Sequence, residues 1–147
     1  MLTNFRSKLG QGDLQAAIES TVERFRRQTG IQTDLRFGGD EGGPLPPEQQ
    51  LQVLFILQEA LSNVRKHSEA GQVLVSVNNE RDFSLLIQDD GQGYDPAEVA
   101  ARGESHVGLH IMQERAARMR AMIKLESQPG AGTRVALTLP GSERQAA

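Results

Sequence analysis

The sequence predicts an α+β fold, a two-layer α/β sandwich in which helices cover one face of a mixed, mostly antiparallel sheet. Three observations predict it. Segments 72–77 and 83–88 alternate apolar and polar residues and are joined by the turn formers of 78–82; segments 123–127 and 134–139 repeat the arrangement around Pro129-Gly130-Ala131-Gly132. Three further stretches repeat apolar residues at spacings of three and four. At 147 residues, 37% hydrophobic and 24% charged, the chain is the size of one domain with one core. Two hairpins do not supply the strand-helix-strand crossovers of a doubly wound parallel sheet.

Taken in order, residues 13–30 carry Leu14, Ala17, Ile18, Val22 and Phe25 at helical spacing, with Asp13 placed to cap the start and Gly30 to end it. Residues 31–37 alternate as a strand, and a Gly/Pro-rich loop follows to Pro46-Pro47. Residues 48–67 form the longest periodic run, with Leu54, Leu57, Leu61 and Val64 on one side. After the first hairpin, Asp95-Pro96-Ala97-Glu98 signals a short helix. Residues 101–107 have no period, and Leu109, Met112, Ala116 and Met119 resume a helical stripe before the closing hairpin. The tail from Gly141 is polar and expected to fray.

Composition narrows the function classes. There is no cysteine, which removes disulfides, thiol nucleophiles and thiolate zinc sites. A net charge of −3 and a pI near 5.6 give no global reason to bind nucleic acid or an anionic membrane. Aromatics are 4% with no tryptophan, so base-stacking platforms are poorly supplied. No apolar run of about 18 residues exists, so membrane contact by this piece is not expected, and the charge and scarce aromatics make nucleic acid an unexpected partner too. Glycines concentrate between Gly38 and Gly43, Gly91 and Gly108, and Gly130 and Gly141, where the backbone must turn sharply or approach a ligand.

Four constellations carry chemistry. At about 100° per residue, Glu59, Asn63 and His67 share a sector of the long helix opposite the leucine stripe, flanked by Phe55 and Ile56. They are either its wet side or a partly enclosed site. Asp89 continues the Phe83, Leu85, Ile87 face, so a carboxylate emerges at the end of a buried face and wants a hydrogen-bond donor; Asp-Gly equally marks a strand-ending turn. Val107-Gly108-Leu109 opens a helix whose unpaired N–H groups suit phosphate or simply need a glycine at the junction. Gly130-Ala131-Gly132-Thr133 offers bare backbone and a hydroxyl at a strand entry, or an ordinary hairpin loop.

In this order, Glu-x-x-x-Asn, Asp-x-Gly-x-Gly, Gly-Leu-x-x-Met and Gly-x-Gly-Thr are similar to the successive nucleotide-binding boxes of the GHKL (Bergerat-fold) ATPase superfamily. The chain resembles the catalytic and ATP-binding domain of a bacterial sensor histidine kinase. Residues 58–67 and Met112-Gln113-Glu114-Arg115-Ala116 resemble the nitrate/nitrite sensor branch, as does the opening Leu2-Thr3-Asn4-Phe5-Arg6. The match covers roughly 51–140.

The resemblance implies ATP and Mg²⁺ as cofactors. Asp89 would accept a hydrogen bond from the exocyclic amine of adenine, Asn63 would ligate Mg²⁺, and Glu59 would act as general base or orient a group near the γ-phosphate. Lys66 and His67 would reach phosphate oxygens, though His67 equally suits a structural role. Gly91 and Gly93 would let the backbone pass under the base, Gly108 and Leu109 would set a helix start against the phosphates, and Gly132 with Thr133 would close the floor. Residues 101–107 would be the ATP lid, where Ser105-His106-Val107-Gly108-Leu109 departs from the Gly-His-x-Gly-Leu common in relatives.

The implied acceptor is a histidine in a His-Asp or His-Glu context, whereas His67, His106 and His110 precede Ser, Val and Ile. The expected partners are therefore the dimerisation and phosphoacceptor domain of the same parent kinase and a response regulator. The parent would be a homodimeric inner-membrane sensor with this part in the cytoplasm. Residues 1–12 would be a linker from a preceding helical domain, 13–140 the catalytic domain and 141–147 a disordered tail. Rival readings are a stand-alone ATPase or an anti-sigma-type serine kinase of the same superfamily, or a non-catalytic nucleotide sensor.

Overall fold

In the computed structural model the described residues are 13–39, 42–68, 70–91 and 107–143. Their elements run α1 (Asp13–Thr29), β1 (Gln32–Gly38), α2 (Pro47–Asn63), β2 (Gln72–Asn79), β3 (Phe83–Asp89), α3 (Val107–Arg118), β4 (Met122–Ser127) and β5 (Thr133–Leu139). The five strands form one sheet in the order β1-β2-β3-β5-β4. β1 pairs with β2 in parallel and the other pairs are antiparallel. Both expected hairpins are present, and the helix start expected at Asp95 lies outside the described residues.

The parallel pair is the one connection hairpin reasoning does not supply. It exists because α2 carries the chain back across the sheet between β1 and β2, as a crossover helix does. The inward side chains Val73, Val75, Val77, Phe83, Leu85, Ile87, Val135, Leu137 and Leu139 are buried and alternate along their strands. Against them pack Ile18, Val22 and Phe25 of α1, Val53, Ile56, Leu57, Ala60 and Leu61 of α2, and Met112 and Ala116 of α3. The opposite sheet face carries polar and charged groups such as Asp34, Arg36, Lys124, Glu126 and Arg134, all exposed.

Two of these packings differ from the expected stripe. Leu54 is only partly buried, while Val53, Ile56 and Ala60 are in the core. The buried face of α2 is therefore rotated toward Ile56, and Glu59 and Asn63 lie beside the core rather than opposite it. The α-helix also ends at Asn63, and Val64–Ser68 form a π turn. Residues 141–143, assigned to the tail on sequence, form a 3₁₀ turn. The Gly141 N–H donates to Asp82 Oδ1 at 2.7 Å, and Arg120 meets Glu143 at 3.7 Å. No helix among the described residues is long and apolar enough to cross a membrane.

Hydrogen bonds fix the helix directions. Gln49 Nε2, near the start of α2, donates to the carbonyls of Met119 (3.3 Å) and Glu143 (3.4 Å). Glu143 lies just past the end of β5, where Leu139 pairs with Phe83, so α2 begins over that edge of the sheet. Its 17 residues span about 25 Å and the seven of β3 about 23 Å, which brings Asn63 over the opposite edge, where Asp89 pairs with Val73 and Thr133. α3 runs antiparallel to α2, because Met119 sits at Gln49 and Arg115 touches Gln52 and Phe55. The start of α3 therefore opens at the Asn63 edge.

Leu57, fully buried at the centre of this sandwich, is the residue whose truncation reports on it. Leu57→Ala should cost about 2–5 kcal/mol in urea unfolding. A loss below about 1 kcal/mol would contradict the packing.

Candidate functional site

The edge of the sheet beneath Asn63 is held by an acid. Asp89 ends β3 on its inward face and is 6% exposed, yet no cation pairs with it among the described residues. Its Oδ1 accepts the Gly91 N–H at 2.8 Å. Burial pushes its pKa above the ordinary 3.8; hydrogen bonds from the backbone of Gly91 and Thr133 offset part of that, and the charge of Asp90 adds to it. An enclosed carboxylate with few donors is an acceptor, and a donor-bearing ligand would satisfy it.

Two glycines make room at this edge. Gly91 is buried, and its N–H holds the carboxylate. Gly132, at φ +77°, lies so close to β3 that any Cβ there would overlap the Asp89 carbonyl oxygen. Ser127 Oγ donates to the Gly132 carbonyl at 3.2 Å and lies 3.0 Å from Thr133 Oγ1, fixing the entry of β5 next to Asp89. Gly132 is thus needed for close backbone approach, and Thr133 sits in the strand register opposite Asp89.

On α2, Gln52, Phe55, Glu59 and Asn63 form one row at spacings of three and four, and its first two members touch Arg115 of α3. Glu59 and Asn63 are half-buried, continuing the row toward the start of α3. Neither side chain has a hydrogen-bond partner among the described residues. α3 begins at Val107 with Gly108 and Leu109 in its first turn and no acidic residue there, so the helix itself sets no negative charge against its positive end. The side chains of Gly108 and Leu109 lie outside the described ones, as does Gly93. Lys66 is exposed in the π turn. The spacing that groups His67 with Glu59 and Asn63 assumes an α-helix, and the wider π turn breaks that phase after Asn63; the His67 side chain is outside the described ones.

Glu59, Asn63, the π turn, Asp89, Gly91, Gly132, Thr133 and the start of α3 therefore meet at one edge of the sandwich. Of the two apolar residues expected to flank Glu59, Ile56 is fully buried and faces the core, while Phe55 is 37% exposed beneath the Arg115 guanidinium, 4.3 Å from the ring centre. Sequence reasoning missed Asp90. Its Oδ1 accepts the N–H groups of both Gly71 and Gln72 at 2.9 Å. An acidic residue directly before a glycine was the available signal, hidden by its neighbour Asp89.

Residues 48–143 match the family described as histidine kinase-, DNA gyrase B- and HSP90-like ATPase. The chain belongs to this ATPase family. Among curated relatives, the sensor protein NarQ homolog of Haemophilus influenzae is 32% identical over 95% of this chain and 24% of its own length. The nitrate/nitrite sensor protein NarX of Escherichia coli is 34% identical over 94% of this chain and 23% of its own length. The chain thus spans about a quarter of these relatives. Among solved structures, a histidine kinase domain from Erythrobacter litoralis superposes with a TM-score of 0.68 at 18% identity, covering 88% of this chain and 62% of that one. The mycobacterial sensor histidine kinase MprB gives 0.63 at 22%, covering 86% and 93%. These structures share the fold. An ATPase of this family has to admit a nucleotide.

The raised pKa of Asp89 makes a stability prediction. The folded state holds the Asp89 proton more tightly than the unfolded chain, so its contribution is complete below 3.8 and is lost as pH rises through the folded value. Asp89→Asn should therefore raise the melting temperature of the ligand-free chain at neutral pH, with the gain shrinking as pH falls through the folded value and gone below 3.8. Calorimetry showing a destabilised variant at neutral pH would contradict the cost of the buried charge.

Proposed function

We propose that this chain is the ATP- and Mg²⁺-binding catalytic domain of a two-component sensor histidine kinase. The observation that carries the reading is the buried Asp89 carboxylate, which no cation pairs with among the described residues, at the same edge as the start of α3 and the Asn63 carboxamide, which has no hydrogen-bond partner among those residues. An acceptor at one end and helix N–H groups at the other suit an adenine amine and a run of phosphates. In this reading Asp89 accepts from the exocyclic amine, Gly91 and Gly93 let the backbone lie under the base, and Gly132 and Thr133 close the floor. Gly108 and Leu109 would set the start of α3 against the phosphates, and Lys66 and His67 would reach their oxygens.

The residues fit a magnesium-nucleotide better than a bare metal. Among the described residues no group of three or more His, Asp or Glu could hold an ion alone. Magnesium keeps few protein ligands and fills its shell with phosphate oxygens and water, so the Asn63 side-chain oxygen would suffice as the protein ligand. The ion supplies charge neutralisation on the phosphates. Glu59, one turn before Asn63, is placed to orient the group entering at the γ-phosphate or to take its proton.

The phosphoacceptor would belong to a separate dimerisation domain of the same parent, since no histidine here precedes Asp or Glu. From there the phosphoryl group would pass to a response regulator. The names of the relatives support a sensor role for the parent, which in this reading would be a homodimeric inner-membrane protein with this part in the cytoplasm. We place the linker at 1–12 and the catalytic domain at 13–140, extended by the 3₁₀ turn at 141–143 that packs on it, with the tail after 143.

Calorimetric titration of ATP with and without Mg²⁺ tests the assignment. Mg²⁺ should tighten binding to the wild type, and Asn63→Ala should lose roughly tenfold of that gain, about 1.4 kcal/mol, while keeping its metal-free affinity. A variant with unchanged magnesium dependence would remove Asn63 from this role.

A further inference from the structure

We propose that Asp90 is the positioning residue for Asp89: it clips the end of β3 to the start of β2 so that the neighbouring carboxylate is presented to the base. The inference rests on the adenine reading of Asp89 and adds the device that holds it.

Successive side chains of a strand point to opposite faces, so Asp89 turns inward while Asp90 turns out to solvent. The outward carboxylate is nonetheless engaged. Its Oδ1 accepts the Gly71 and Gln72 N–H groups, both at 2.9 Å, and the Asp90 N–H donates to the Gln72 carbonyl at 3.2 Å. These three bonds lie one residue beyond the last strand pair on that side, Val73 with Asp89. Two charge-assisted bonds converging on one oxygen leave Asp90 little reason to read a ligand itself.

What the clip holds is the middle of a tight turn. Asp89 Oδ1 accepts the N–H of Gly91, two residues on, so Asp90 is the central residue of an Asx turn that sets the aim of the Asp89 carboxylate. Glycine follows at Gly91 and lies alongside at Gly132, and neither has a side chain to stiffen the strand end. Gly132 backs the Asp89 carbonyl from the β5 side, and Asp90 fastens the β2 side. The donors Gly71 and Gln72 also close the connection that leaves α2 at Asn63. One carboxylate therefore joins the base-reading strand end to the segment that follows the metal-binding carboxamide.

The test compares the affinities of ADP and inosine diphosphate, which lacks the exocyclic amine, by calorimetry. The wild type should prefer ADP. Asp90→Ala should reduce that preference roughly tenfold through weaker ADP binding, with inosine diphosphate little changed. Asp90→Asn should keep it within about threefold, because a carboxamide oxygen accepts the same two N–H groups. Gln72→Pro removes one donor, leaves Asp90 intact and stands at a strand start where proline is tolerated; it should give a partial loss. A folded Asp90→Ala with the wild-type preference overturns the proposal, as does an Asp90→Asn that loses as much as alanine. If the alanine variant does not fold, full preference in Gln72→Pro overturns it. A wild type that binds both diphosphates equally overturns the adenine reading of Asp89 instead.

Discussion

The arrangement depends on one carboxylate that the fold buries with no cation beside it among the described residues. Asp89 sits at the end of an apolar strand face whose other members, Phe83, Leu85 and Ile87, are core residues. Continuing that face with an acid raises its pKa, and two backbone N–H groups offset only part of the cost. Neighbouring features follow from accommodating it. Gly91 must bring its N–H back to the carboxylate, Gly132 must lack a side chain to lie against the same carbonyl, and Asp90 must fasten the strand end from outside. A buried charge with only backbone donors costs stability in the ligand-free chain, and such costs are common at functional positions.

The sandwich brings distant parts of the chain to this carboxylate through helix direction alone. α2 starts where Gln49 reaches the carbonyls of Met119 and Glu143 and ends at Asn63 over the opposite edge of the sheet. α3 runs back along the same side, so its positive end opens where α2 finishes. The switch from α to π geometry at Val64 occurs at the residue after the carboxamide. Such π turns recur at functional sites because they release the backbone from the regular ladder.

Much of this was legible in the residues. Strict alternation in the central strands and three-and-four spacing in the helices identify the elements, because each buries one face against a common core. Asp89 was legible as a misplaced charge, and Glu59 with Asn63 as a spacing. The parallel pairing of β1 was not, since its sequence reads like any half-buried strand and its partner lies beyond a helix. The rotation of the α2 face toward Ile56 was hidden because Leu54 and Ile56 are equally apolar, and only packing selects between them. The π turn leaves no compositional mark, so a helix read by period runs on to His67. Asp90 escaped because its partners are backbone N–H groups, which no side-chain pattern reveals.

The most direct measurement of the central claim is a crystal structure of the chain with a non-hydrolysable ATP analogue and Mg²⁺. The account predicts the adenine amine about 3 Å from an Asp89 carboxylate oxygen and the metal on the Asn63 side chain. A nucleotide bound elsewhere, or a base that turns its amine away from Asp89, would contradict it.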